Sequence, residues 1–260
     1  MRPGRALAGA LLLLALSACS SGPAEQIGQT AASRSASGQT ALDPVEPAEA
    51  VEEEPLLTSV PDPLEPLNRA IYRFNFELDS YVLLPIVNAY RYVVPEFLRT
   101  GVSNFFNNLL EVTNANNGLL QARPEIASRA VIRFAVNSTV GVLGFFDVAT
   151  KLGVTERRED FGQTLGWWGV PAGPYLVLPV LGPSGARDAT GLAVDYAANV
   201  YVPPGREIND AVFVNPAVLA LFIVNARYSQ PFRYFSTGSA FDYELVRFLY
   251  RTQREFEIQR

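Results

Sequence analysis

Few residues in this 260-residue chain are equipped for covalent chemistry. There is no histidine, which removes the usual general base, a common metal ligand and every Ser-His-Asp arrangement. Lys151 is the only lysine among 21 basic residues, and no Gly-x-x-x-x-Gly-Lys loop surrounds it. Glu156, Glu159 and Asp160 form the one dense carboxylate cluster of the aromatic-rich part. A glycosidase would need two such groups roughly 5–10 Å apart. Here they alternate with Arg157 and Arg158, which predicts exposed ion pairs instead. The remaining reactive group is the thiol of Cys19, the only cysteine, so no disulfide or cysteine metal site is expected. The residues predict neither an enzyme nor a bound cofactor.

Cys19 sits in a context that gives its thiol a use. Arg2 and Arg5 precede an apolar run from Ala6 to Leu16, and Leu16-Ser17-Ala18-Cys19 closes it. Basic start, apolar middle and small residues at the cut describe a secretory signal over residues 1–18. Because the cut falls before a cysteine, the segment resembles a bacterial lipobox, in which the thiol is acylated. The apolar run is shorter than the roughly 20 residues needed to span a bilayer, so acyl chains on Cys19 would hold the protein. Ser20 follows where an aspartate would favour the inner membrane of enteric bacteria, which points to the outer membrane.

The elements around these residues divide in two. Residues 19–60 are rich in Ser, Gly, Ala, Pro and Glu and read as a lipidated, disordered linker. About 40 such residues reach of order 35 Å, at roughly 5–6 Å × √n. From residue 61 to 260 the composition turns aromatic and helical. The net charge of −5 argues against nucleic acid, which needs a basic face. Leu67, Ile71, Phe74 and Leu78 repeat at helical spacing after Pro66. Pro85 and Pro95 each open a further segment, the second carrying Leu98, Val102, Phe105 and Leu109. Asn116-Asn117-Gly118 reads as a turn or break. Helices are predicted over Pro124 to Val140, Ala186 to Val200, Asn215 to Arg227 and Phe241 to Phe256. With no run of alternating strands, the fold class is all-α.

Gly162 to Gly185 interrupts this pattern, because its glycines and prolines disfavour a regular helix. Yet Tyr175 to Leu181 is strongly apolar and Trp167 and Trp168 lie beside it. Two readings stay open: a connection packed as core, or a hairpin meeting lipid with its tryptophans at the interface.

In order and spacing, several pieces resemble the MlaA (VacJ) family of outer-membrane lipoproteins. They are Asp62-Pro63-Leu64-Glu65, Leu67-Asn68-Arg69, Tyr72-Arg73-Phe74-Asn75-Phe76, Tyr92-Val93-Val94-Pro95 and Val102-Ser103-Asn104-Phe105. Further pieces are Asn137-Ser138-Thr139-Val140-Gly141, Gly144-Phe145-Phe146-Asp147, Phe161-Gly162-Gln163-Thr164-Leu165-Gly166 and Gly173-Pro174-Tyr175-Leu176-Val177-Leu178-Pro179. The resemblance covers roughly Asp62 to Tyr196. It implies a ring-like assembly of amphipathic helices with one Gly/Pro-rich apolar hairpin, lying in the inner leaflet around a channel. It implies removal of mislocalised phospholipid from the outer leaflet, delivery to a soluble periplasmic lipid carrier, and an outer-membrane porin as lateral partner. A porin-associated scaffold without transport is the alternative.

The resemblance assigns Tyr72, Phe74, Asn75 and Phe76 to a helix bordering the channel, and Gly169 and Gly173 to a hairpin gate. Pro171 stands where the family has another glycine and stiffens that turn. A headgroup phosphate would suit an arginine fork, for which Arg129, Arg133 and Arg187 are candidates.

Overall fold

The computed structural model describes residues 60–212, 214–235 and 241–260. The signal, Cys19 and the linker as far as residue 59 lie outside the described residues.

Helix α1, Glu65–Leu78, has a proline in its first turn, which costs no hydrogen bond there. It continues without a break through a π turn, Asp79–Leu83, into α2, Leu84–Val93. Pro85 therefore lies inside a rod rather than opening a separate helix. Its ring cannot donate to the carbonyl one turn back and would clash with it. The π turn widens the ladder just ahead of that point, with Leu84 N–H reaching the Asp79 carbonyl.

Helix α3, Glu96–Leu120, runs straight through Asn116-Asn117-Gly118, where the sequence suggests a break. Asn117 bonds back to the Thr113 carbonyl within the helix. Gly118 is there for proximity: a Cβ on it would lie 2.7 Å from the backbone nitrogen of Ala127 on α4, Pro124–Thr139. Two short helices follow, each capped by an aspartate. In α5, Val148–Lys151, Asp147 accepts from Thr150 N–H; in α6, Phe161–Trp167, Asp160 accepts from Gln163 N–H. Helix α6 corrects the expectation that Gly162 begins a non-helical stretch. Gly162 packs on Gly191 of α7, Ala186–Tyr201, where a Cβ would lie 2.2 Å from the Gly162 nitrogen.

Strands β1, Tyr175–Leu178, and β2, Gly182–Gly185, form an antiparallel hairpin with Tyr175 opposite Gly185 and Leu178 opposite Gly182. Helices α8, Gly205–Val212, α9, Pro216–Tyr228, and α10, Asp242–Gln259, complete the chain. The fold is mostly helical, as expected, with this one small sheet among the described residues.

Packing contacts close a circuit. The rod meets β1 through α1, β2 meets α10, α10 meets α6, α6 meets α3, α3 meets α9, and α9 returns to α2. The ring-like arrangement is thus built from pairwise joints rather than from one central core.

Candidate functional site

The joints bury many polar groups, and the exterior exposes many apolar ones. Among the described residues 14 hydrophobic residues are buried against 22 polar or charged ones, while 32 large hydrophobic residues are exposed. In a water-soluble domain the balance runs the other way, and exposed apolar surface of this extent marks a lipid or partner contact. On α1 half of the apolar stripe is on the outside. Leu67 and Phe74 are exposed, whereas Asn68, Tyr72 and Asn75, one position along, are buried. Helix α4 repeats the inversion: Val131 and Ile132 face out, Arg133 and Asn137 face in. Tyr81, Tyr92, Phe97, Val142 and Leu143 extend the apolar exterior. No described helix is long and apolar enough to cross a membrane.

Asn68 and Asn75 act as a pair. Asn68 Nδ2 donates to the Tyr175 carbonyl at 3.1 Å and its Oδ1 accepts from Val177 N–H at 2.8 Å. Asn75 does the same one step along: Nδ2 to the Leu178 carbonyl at 2.9 Å, Oδ1 from Val180 N–H at 2.7 Å. Seven helical residues rise about 10.5 Å at 1.5 Å each, and three strand residues about 10 Å at roughly 3.3 Å each. The two amides therefore match the edge of β1 and stand in for a neighbouring strand. Tyr72, between them, donates to Asp242 Oδ2 at 2.6 Å, and burial beside that carboxylate raises its hydroxyl well above the usual range. Phe76 meets Phe235 edge-on with ring centroids 5.0 Å apart. Of the four residues assigned to a channel border, Tyr72 thus fastens α10, Asn75 the hairpin and Phe76 the segment before α10, and only Phe74 is exposed.

Residues 60–257 match the family described as MlaA lipoprotein. The chain belongs to the MlaA lipoprotein family. An uncharacterized protein of Rickettsia felis is 35% identical over 201 residues, 76% of this chain and 78% of that one. The Escherichia coli K12 protein named intermembrane phospholipid transport system lipoprotein MlaA is 43% identical over 139 residues, 52% of this chain. The chain spans about half the length of that relative, 55%. A solved structure reported as "Structural basis for maintenance of bacterial outer membrane lipid asymmetry" is similar with a TM-score of 0.63 and 30% identity. It covers 76% of this chain, which covers 99% of it.

Against that family frame, two of the three headgroup candidates are corrected. Arg133 is buried and its guanidinium is fully engaged: with Glu111, with Thr150 Oγ1 at 2.9 Å, with the Val154 carbonyl at 2.6 Å, and with Asp147 at 3.4 Å. Arg187 is buried against Asp188 at 3.0 Å and also donates to the Val170 carbonyl. An unpaired buried arginine would cost several kcal/mol, so both fill internal pairs rather than await a ligand. Arg129 keeps a half-buried position and donates to Thr155 Oγ1 at 3.1 Å.

The carboxylate cluster is corrected as well. Glu159 and Asp160 are buried, not exposed. Glu159 pairs with Arg157 and accepts from Gln121; Asp160 holds both Nη atoms of Arg254, at 2.7 and 2.8 Å. Burial works against the Asp160 charge, but Arg254 outweighs it and keeps the carboxyl below the usual range. Asp195 lies next in this network, accepting from Phe161 N–H and Asn117. Desolvation, with Asp160 nearby, pushes its carboxyl up to about 7.

The apolar stretch is part core and part exposed. Tyr175 and Val177 are core, while Pro179 and Val180 at the turn, and Trp167 and Trp168, are exposed. Trp167 carries Arg123 over its ring at 4.9 Å, and Trp168 Nε1 donates to the Leu120 carbonyl. Gly169 and Gly173 have positive φ, 86° and 70°, but lie in the loop before β1 rather than in the hairpin. Arg251 fastens the Gly173 carbonyl at 2.8 Å. Sequence reasoning missed Asn68, Asp79, Asp242 and Arg254 as fasteners. The seven-residue spacing of Asn68 and Asn75 was the one available signal.

Proposed function

We propose that this protein is an outer-membrane lipoprotein that removes phospholipid from the outer leaflet and passes it to a periplasmic lipid carrier. Cys19 is its acylation site, and its body lies against the periplasmic leaflet beside an outer-membrane porin. The observation that carries this reading is the inverted polarity: buried amides and ion pairs, exposed valines, leucines and aromatics. Such a surface is stable in hydrocarbon, where buried polar joints supply the cohesion that apolar packing does not. The relatives named for intermembrane phospholipid transport and the structure reported for lipid asymmetry support it. The Gly169–Gly173 loop, fastened at one end and open at Gly169, is the proposed gate.

The test is the amount of phospholipid exposed on the outer leaflet of intact cells, with the gene deleted and restored. A rise on deletion, reversed by the wild-type gene, supports removal. No rise, with the protein correctly at the outer membrane, leaves the scaffold as the account.

A further inference from the structure

Resting on that reading, we propose that the corner where α2, α3 and α9 meet binds the phosphate of a phospholipid headgroup through Arg91 and Arg99. Arg91 lies in the last turn of α2 and Arg99 in the first turn of α3, on either side of the turn at Val94-Pro95. That turn brings both guanidinium groups over one ring, Tyr228 at the end of α9, 5.5 and 5.1 Å from its centroid.

Arg99 Nη1 donates to Tyr228 Oη at 3.0 Å, which leaves its other nitrogens unused. Its Nε is shielded from water with no partner, and so is the hydroxyl of Tyr90. Tyr90 packs edge-on against Tyr228, centroids 5.8 Å apart, within the field of Arg99. A buried polar atom without a partner calls for an explanation, and here two of them lie at the same corner as two cations.

Both missing bonds can be completed by an acceptor, and no acceptor of the right charge is supplied internally. Among the described residues neither Arg91 nor Arg99 has a carboxylate within 4.0 Å, unlike Arg133, Arg187, Arg227 and Arg254. Glu96, in the same turn as Arg99, is exposed and forms no such pair. Two guanidinium forks and a phenol are a donor set for a phosphodiester, whose two free oxygens take bidentate bonds.

The rim says which kind of phosphate. Tyr92 is 92% exposed, and Val93 and Phe97 beside it are 73% and 67% exposed. A cluster of cationic and phenolic groups bordered by exposed aromatic and aliphatic side chains fits an amphiphile, with its chains along the rim and its headgroup at the arginines.

The test titrates the detergent-purified full chain by calorimetry with dihexanoyl phosphatidylglycerol, with inorganic phosphate, and with a short-chain galactosyl diglyceride that has no phosphate. Wild type is expected to bind the phosphatidylglycerol best. Arg91→Gln with Arg99→Gln weakens that binding about tenfold or more, the scale of one lost charge-assisted bond. Lys151→Gln, which removes an exposed cation with no assigned role, leaves it unchanged. Tyr228→Phe, which removes the acceptor for Arg99 but keeps the ring, retains it, which a mere fastening role for Arg99 does not predict. Should the double variant fail to fold, Arg91→Gln alone is read, since Arg91 is exposed. Equal binding by wild type and variant, or equal binding of the galactolipid, overturns the site. Inorganic phosphate as good as the lipid overturns the headgroup as its source. If wild type binds phospholipid and the variants do not differ, only this site fails. If wild type binds no phospholipid at all, the transport reading fails with it.

Discussion

Replacing Asn68 by alanine removes two bonds to the edge of β1 at once. The Tyr175 carbonyl and the Val177 N–H lose their partner in a place water does not reach, since Tyr175 is 0% and Val177 2% exposed. Each buried group left unsatisfied costs about 1–3 kcal/mol, so about 2–6 kcal/mol is expected for Asn68→Ala. At about 2–4 °C per kcal/mol for a domain of this size, the melting temperature falls by roughly 4–24 °C. Asn75→Ala costs less, about 1–2 kcal/mol, because its bonds are only partly buried. Asn68→Asp is worse than alanine: Asn68 Nδ2 also donates to Asp62 Oδ1 at 2.8 Å, so a carboxylate there faces another carboxylate. Thermal unfolding in detergent measures the loss, and amide hydrogen exchange locates it. Val177 N–H exchanges faster in Asn68→Ala and Val180 N–H in Asn75→Ala, about tenfold per 1.4 kcal/mol. Unchanged melting, or faster exchange spread evenly over the chain, refutes the idea that the two amides act as a surrogate strand.

Arg133→Met leaves Glu111 buried without its cation, and about 3–5 kcal/mol is lost in chemical unfolding. Burial already raises the Glu111 carboxyl against the pull of Asn114 and Arg133, so the variant regains stability as pH falls and Glu111→Gln added to it recovers part of the loss. The Asp195 carboxyl, held near 7 when folded and at about 3.9 when unfolded, keeps a proton in the native state that the unfolded chain has released. Its contribution therefore falls as pH rises from about 4 to 7, and Asp195→Asn flattens the unfolding midpoint across that window. Gly118→Val drives a side chain into the Ala127 backbone and costs at least about 1–3 kcal/mol by the same unfolding assay.

The helices were legible because their apolar residues recur at helical spacing, and α1, α3, α4, α7, α9 and α10 lie close to where that spacing puts them. Which side of each helix turns inward was not legible. The stripe Leu67, Ile71, Phe74 and Leu78 looks like a core face only if the outside is water. The structure buries Asn68, Tyr72, Asn75 and Asp79 instead, each with a partner distant in sequence. Such partners leave no local trace, which is also why Arg133 and Arg187 read as free cations when they are paired. Helix α6 was missed because its glycines are explained by distant neighbours, Gly162 by Gly191 and Gly166 by Ile258 and Arg187. The hairpin was visible as an apolar Gly/Pro-rich stretch, but its fastening by α1 was not.

The π turn at Asp79–Leu83 has a consequence for how this chain tolerates changes in length. It holds one residue more than an α-helix would use over the same distance, and each residue turns a helix by about 100°. Asn68 and Asn75 hold the hairpin from before that turn, while Tyr90 and Arg91 meet Tyr228 at the end of α9 from after it. Deleting Ser80 would let the rod revert to plain α-helix and rotate everything on one side by about a quarter-turn or more. The hairpin and α9 could then no longer be held at the same time. The surplus residue is thus the phase setting of the ring, and an indel there should be far less neutral than the same indel in the loop between α7 and α8.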